Sequence, residues 1–233
     1  MHLWDQFTPI EETMRALDDL VTSGKVRYIG FSDTPAWKVA QAQVMAVFRG
    51  WAPLIALQIE YSLVERTVEG EMMPMAQELG LGVTPWSPLR GGVLTGKYTR
   101  ENMGQIEPGR GDRVKSYLTE STFEIIDELS QIADAYETSP AAIALAWVQG
   151  RAGVDSTIIG ARTIQQLESN LSALAVELET DEFEALDEVS KPTLSFPIPF
   201  LEMAHNLMHA GATVDGLPSE SPPLLPESDE ERY

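Results

Sequence analysis

The sequence contains no cysteine, which excludes disulfides, thiolate metal sites and a cysteine nucleophile. It is also short of positive charge: 16 basic residues face 36 acidic ones, a net charge of −20. The acidic residues are spread along the whole chain, so long-range attraction to nucleic acid or to an anionic membrane is disfavoured. An anionic cofactor would need local help from helix N-termini and a few placed cations. No apolar run approaches the roughly 18 residues of a membrane span. The N-terminus has neither the basic lead nor the apolar stretch of a secretory signal. The default expectation is a soluble cytoplasmic protein with no nucleic-acid partner and no membrane insertion.

What is present is the composition of a globular protein. Apolar residues make up 43% and charged residues 22% of 233 positions, enough to bury a sizeable core. The opening, MHLWDQFTPIEETMRAL, reads as the end of a buried strand running into a helix. Thr8 stands as N-cap, Pro9 fits the first helical position and Glu11 completes a capping box. Ile10, Met14, Leu17 and Val21 form the apolar stripe, and Gly24 ends it. Four short Val/Ile/Leu-rich runs then predict strands at 26–32, 53–60, 82–87 and 156–160, with helices at about 36–48, 69–79, 121–136, 139–149, 163–174 and 180–189. A Gly-rich charged loop covers about 88–118. Beyond Lys191 the chain is rich in proline, and its ending PSESPPLLPESDEERY has too few apolar residues to pack.

Strands alternating with helices predict parallel β/α units with both sheet faces covered. A closed eight-stranded barrel typically takes about 250 residues, and here a loop and a tail use part of the chain. The fold class expected is α/β, a partial (β/α)₈ TIM barrel. Ligands in such folds sit at the C-terminal ends of the strands. Those ends read His2, Ser32-Asp33, Gln58, Trp86-Ser87 and Gly160-Ala161-Arg162.

Four segments carry a family resemblance: GKVRYIGFSDTPAW (24–37), QIEYSLVERTVE (58–69), WSPLRGGVLTGKY (86–98) and IIGARTIQQLESNLSAL (158–174). Together, and in this order, they resemble the aldo/keto reductases, most closely the branch with bacterial reductases and potassium-channel β subunits. The resemblance covers about residues 1–190. It implies that the chain is roughly the C-terminal half of the barrel, strands 4–8, over 1–195. Residues 196–233 would be an extension, largely irregular or disordered from about 215. It also implies that His2 is the histidine ending the fourth barrel strand, and the one catalytic residue present here. The family's tyrosine general acid, with the lysine and aspartate that tune it, falls before residue 1.

The cofactor implied is NADP(H), and most of its contacts match. Trp86 takes the place of the aromatic that stacks on the nicotinamide. Ser32, Asp33 and Gln58 match positions that hold the carboxamide, although asparagine or arginine often replaces Asp33. Ser87, Pro88, Leu89 and Gly91 match the loop along the pyrophosphate, with Lys97 a nearby cation. Gly160, Ala161 and Arg162 sit where strand meets helix, and Arg162 suits a 2′-phosphate. Gln166 and Asn170 match adenine contacts, and Ser169 stands where the family often has glutamate. No metal site is expected, since His205 and His209 in HNLMH lack the glutamate of the zinc-protease motif.

Three readings stay open. The chain is an NADPH-dependent reductase acting on a small carbonyl substrate; or it is an inactive NADP-binding or interaction half barrel; or it is a shortened gene product without settled function. Two open strand edges, and an inner sheet side lined by residues such as Ile29, Leu57 and Ile159, would favour a homodimer completing the barrel.

Overall fold

The computed structural model describes residues 1–102, 114–220 and 228. It divides into two compact units, Met1–Pro192 and Thr193–Tyr233. In the first unit, α1 (Ile10–Thr22), β1 (Ile29–Ser32), α2 (Ala36–Arg49), β2 (Leu54–Glu60), α3 (Met72–Glu78) and β3 (Gly82–Trp86) alternate as β/α units. The helices α4 (Glu120–Ala135), α5 (Pro140–Gln149), α6 (Ile164–Leu171) and α7 (Thr180–Val189) complete it. The strands are parallel in the order β1-β2-β3. This agrees with the α/β expectation; among the described residues the closed or half-closed barrel itself is not formed as a ladder of four or five full strands.

Two flanking segments extend the sheet by isolated contacts. His2 bridges Ser32 and Val154 bridges Val83, both parallel. Ile158 N–H donates to the Pro85 carbonyl at 2.8 Å and Asp155 N–H to Val83 at 2.9 Å. The strand predicted at 156–160 is not formed: of those residues only Ile158 is pinned to β3 by a backbone hydrogen bond. STIIG has the right composition, but a ladder needs repeated pairing, and here it stops at Ile158. The strand predicted from 26 starts at Ile29, where its register against β2 is irregular. Gly30 is required there, because a methyl group would lie 2.7 Å from the Ala56 carbonyl oxygen.

Alternation along the strands sorts the side chains. Phe31, Leu57, Ile59 and Val83 are buried, with Met14, Val39, Ala42, Ala46, Ala76, Ile143 and Trp147 of the helices in the same core. The other set, in register across the strands, is Gly30-Ala56-Gly82 and then Ser32-Gln58-Thr84. The expectation that Ile29 and Leu57 line the open side is thus overturned. Both are buried in the main core, and Ile159 packs against Ala142, Leu145 and Ala173. The face that Phe31, Leu57 and Ile59 occupy is the one that the helices cover. The open side is small and polar.

The caps show a similar shift. Ser139 and Thr163 cap α5 and α6 with their hydroxyls, as their sequence positions suggest. At α1 the N-cap is Pro9 and no side chain caps it. The Thr8 hydroxyl goes instead to the Asp5 carboxylate. Asp5 also accepts the Phe7 amide at 2.9 Å and the Thr8 amide at 3.2 Å. A local Asx-type turn has outcompeted the capping box.

A buried charge network ties the loop after β2 to α5 and α7. Arg66, with a side chain 6% exposed, forks onto both oxygens of Glu69 at 2.8 and 3.0 Å. Its Nη1 donates to the Asp187 carbonyl at 2.9 Å and to Ser190 Oγ at 2.7 Å. Arg151 grips Asp187 through 3.0 and 2.8 Å bonds and donates to the Tyr61 hydroxyl at 3.0 Å. Tyr61 donates to Glu69 at 2.6 Å. Burial first, then the Glu69 carboxylate, push the Tyr61 phenol well above its ordinary range.

In the second unit, α8 (Ile198–His209) is a helix that the proline-rich composition did not predict. Proline is tolerated in a first helical turn, and Pro199 stands there. His205 and His209 form an edge-on ring pair, 4.7 Å between centroids. Most of the ending read as unable to pack, PSESPPLLPESDEERY, lies outside the described residues. Among the described residues no helix is long and apolar enough to cross a membrane.

Candidate active site

The C-terminal ends of the strands bring the first group of expected residues together. His2, Ser32, Gln58 and Thr84 form one polar row across four adjacent chain segments, by the register of their pairings. They line a cleft of about 400 Å³ with Met1, Gly30, Phe31 and Ala56. His2 Nδ1 lies 3.1 Å from Ser32 Oγ and 3.7 Å from Asp33 Oδ2. The terminal segment is tied down by its backbone: Ser32 N–H donates to Met1 O at 2.9 Å, and Leu3 and Trp4 donate to Ser32 and Asp33 at 3.2 Å each. The Met1 ammonium donates to the Gly30 carbonyl at 2.7 Å. Partial burial lowers the pKa of that ammonium.

Trp86 ends β3 in register with Glu60. Its indole Nε1–H donates to Asp33 Oδ1 at 3.0 Å. Asp33 N–H donates to the Gln58 carbonyl at 3.3 Å. Its backbone is left-handed, φ 46°, as is that of Ser87, φ 57°. Non-glycine residues rarely adopt this region, and where they do the surroundings hold them.

The loop after β3 carries Ser87, Pro88, Leu89, Gly91 and Lys97. Arg90 N–H donates back to Ser87 and Gly92 N–H to Leu89, both at 2.8 Å. Gly91 and Gly92 are left-handed too, and a methyl group on Gly92 would sit 3.0 Å from Lys97 Nζ. The lysine therefore lies against the glycine turn, with its ammonium over the Tyr98 ring at 4.7 Å. The absence of a side chain at Gly92 is what lets the lysine and the backbone turn approach closely.

The third group lies beyond Ile158, whose amide ties it beside Pro85. Gly160, Ala161 and Arg162 are exposed. Gln166 Oε1 accepts the Arg162 amide at 2.8 Å, and Asn170 Nδ2 donates to the Gly160 carbonyl at 3.2 Å. Asn170 is buried. These two side chains hold the 160–162 loop from within, and Ser169 Oγ lies 3.2 Å from Ser139 Oγ. The Arg162 guanidinium has no ion pair among the described residues.

Sequence reading missed two members of the rim. Thr84 completes the polar row through its register with Gln58; the strand-end rule that selected Ser32 and Gln58 passes over it, because β3 runs on to Trp86. Arg90, φ 46°, ion-pairs with Glu60 and, at 3.8 Å, with Glu65, and stacks over Tyr117 at 4.2 Å. No local pattern announces a clasp between two separate loops.

Comparison with known proteins identifies the family. Residues 1–191 match the model of the aldo/keto reductase family. The chain is 36% identical to an uncharacterized oxidoreductase, YrpG, of Bacillus subtilis, over 81% of its length and 56% of that protein's. It is 33% identical to a probable aryl-alcohol dehydrogenase of Saccharomyces cerevisiae, covering 86% of this chain and 62% of the relative. It is 34% identical to versiconal hemiacetal acetate reductase of Aspergillus parasiticus, covering 84% and 58%. The chain thus spans a little over half the length of the curated relatives it matches. A family match along the whole first unit, with the polar row, tryptophan and glycine turn at the strand ends, shows that this chain belongs to the aldo/keto reductase family.

Proposed function

We propose that this chain is the cofactor-binding part of an NADP(H)-dependent reductase of aldehydes or ketones. The observation that carries the reading is the row His2-Ser32-Gln58-Thr84 across the strand ends, with Trp86 at the end of β3. The residues present fit a dinucleotide. Trp86 has its indole held in place by a single edge hydrogen bond, which leaves ring faces to stack. Ser32 and Gln58 supply a hydroxyl and an amide for a carboxamide. The turn at Ser87–Gly92 admits a pyrophosphate, and Arg162, without an ion pair among the described residues, suits a 2′-phosphate.

Bound there, a nicotinamide dinucleotide supplies a hydride to a carbonyl carbon. The chain's own residues orient it and complete the polar surroundings. His2, pinned through Ser32, can hold a hydrogen bond to a carbonyl oxygen. In the reading proposed, the proton itself comes from outside this chain. Support for that is the lining of the cleft, which includes no tyrosine and no lysine among the described residues. General acid catalysis contributes about 10²–10⁴-fold, so turnover by the chain alone should be weak or absent. The same observation favours a second reading, a half barrel that binds NADP without turnover. A second copy pairing at the open edges, the segments 1–4 and 154–158, would complete the sheet.

Fluorescence titration with NADP tests the binding reading. Quenching in the native chain that disappears in Trp86→Phe is the expected result. A flat titration in the native chain would refute it. An NADPH-oxidation assay with a reactive aldehyde separates the two readings, and sedimentation reads the oligomeric state.

A further inference from the structure

Ser32, Asp33 and Gln58 are read together from the sequence as one carboxamide-binding set. The structure separates Asp33 from the other two. Ser32 and Gln58 line the central cleft, and Asp33 does not. Asp33 lies in the wall of a neighbouring hollow of about 410 Å³, with Thr34, Ile59, Glu60 and Trp86. Its left-handed backbone turns it out of line with the strand.

Its two carboxylate oxygens go to different partners. Oδ1 accepts the Trp86 indole N–H at 3.0 Å. Oδ2 lies 3.7 Å from Nδ1 of His2. An indole is a donor only and a carboxylate an acceptor only, so this bond has a fixed direction. Its side chain, 24% exposed, is partly shielded, which strengthens a charge-assisted bond over one in open water. The residue itself is braced from both sides, by its own amide on Gln58 O at 3.3 Å and by the Trp4 amide on its carbonyl at 3.2 Å. Asp33 thereby joins four chain segments: the terminal one carrying His2, the end of β1, β2 at Gln58, and the end of β3.

We propose that Asp33 is a positioning residue rather than a carboxamide ligand. It fixes the plane of the Trp86 indole and stands beside the His2 imidazole, so that the stacking surface and the polar row keep one relative geometry. A free indole at a strand end can rotate about two side-chain bonds; the tether removes that freedom before a ligand arrives. The proposal rests on the nicotinamide reading of the cleft, and its test is built to tell the two apart.

The tether is read without any ligand. Proton–nitrogen NMR of the full chain shows each tryptophan indole N–H, and Trp86→Phe identifies the signal of Trp86. Asp33→Gly removes the carboxylate while suiting the left-handed backbone, and Asp33→Asn keeps an acceptor oxygen there. Asp33→Gly is expected to move the Trp86 indole signal and speed its exchange with solvent, while Asp33→Asn leaves both close to native. In parallel, NADP is titrated and followed by its own absorbance or by calorimetry. Losing one charge-assisted bond should weaken NADP about tenfold in Asp33→Gly, with affinity largely restored in Asp33→Asn. In a Trp86→Phe background, Asp33→Gly should weaken NADP little further.

An indole signal unmoved by Asp33→Gly overturns the tether. A moved signal with native NADP affinity overturns the positioning role. A native chain that shows the tether but binds no NADP overturns the nicotinamide reading, and the positioning role with it, while the tether stands.

Discussion

Arg66→Met is the sharpest test of what holds the rim of the site to the helices behind it. The substitution keeps a long unbranched side chain over the Trp147 ring, where the guanidinium now lies 5.0 Å from the centroid. It removes the fork onto Glu69, the 3.1 Å ion pair with the Asp187 carboxylate and the two bonds to Asp187 O and Ser190 Oγ. Breaking one member of a buried pair costs about 3–5 kcal/mol, because the partner is left desolvated and unpaired. Glu69 keeps two partners, the Tyr61 hydroxyl at 2.6 Å and Arg151 at 3.4 Å, which places the expected loss at the lower end, about 3 kcal/mol. Against a total stability of about 5–15 kcal/mol, that is a large fraction. With a urea slope of about 2–3 kcal/mol/M, the midpoint should fall by about 1–1.5 M. The assay is urea unfolding followed by circular dichroism, repeated for Glu69→Gln and for the double variant. Removing the stranded charge should recover part of the loss, so the two effects should not add. A midpoint within about 0.2 M of native for Arg66→Met, or strict additivity in the cycle, would refute the view that this network is a structural weld.

Other outcomes follow from the same structure. Arg100 pairs with Glu120 and Asp127 at 2.7 Å each but is exposed, so Arg100→Ala should leave the urea midpoint unchanged despite losing as many ion pairs. Gly30→Val should destabilise strongly, since its Cβ would sit 2.7 Å from the Ala56 oxygen; a thermal midpoint equal to the native one would refute the close approach. Tyr61 has a raised pKa in the folded state. Its contribution is fully present below about pH 10, the unfolded value, and is lost as pH rises through the higher folded value, because the unfolded chain releases that proton first. Tyr61→Phe should flatten this part of the alkaline stability curve. Arg162→Ala should abolish any preference for NADP over NAD, and an unchanged ratio of dissociation constants would count against Arg162 as the 2′-phosphate contact.

Much of this was legible in the sequence, for identifiable reasons. The period near 3.6 in IEETMRALDDLV marks the buried stripe of the first helix, and the structure buries Ile10 and Met14. The rule that ligands sit at strand ends selected Ser32, Gln58 and Trp86 from residues far apart in the chain. What the sequence could not show is whether an apolar run finds a partner. STIIG reads like VRYIGFS, yet only its Ile158 pairs, because a strand is a property of two chains. The alternation in β1 and β2 likewise left open which face was covered. Arg66 and Ser190 are separated by 124 positions, and no local pattern links them. Asp33 was found by its neighbours in a motif, but only its left-handed backbone reveals that it turns toward the tryptophan.

The left-handed residues at the strand ends bear on how this chain would respond to selection for heat resistance. Ser87 and Arg90 hold φ values of 57° and 46°, a conformation that costs a non-glycine residue roughly 1–2 kcal/mol. Glycine at position 87 would relieve that cost without disturbing a buried neighbour. A screen for survival at high temperature should therefore find this position early. Arg90 would resist the same change, since its guanidinium clasps Glu60 and Glu65. One neighbour is free to drift toward robustness while the other is held by its partners. The turn after β3 would then soften from one side only, trading a fixed conformation for a looser one while the scaffold grew hardier.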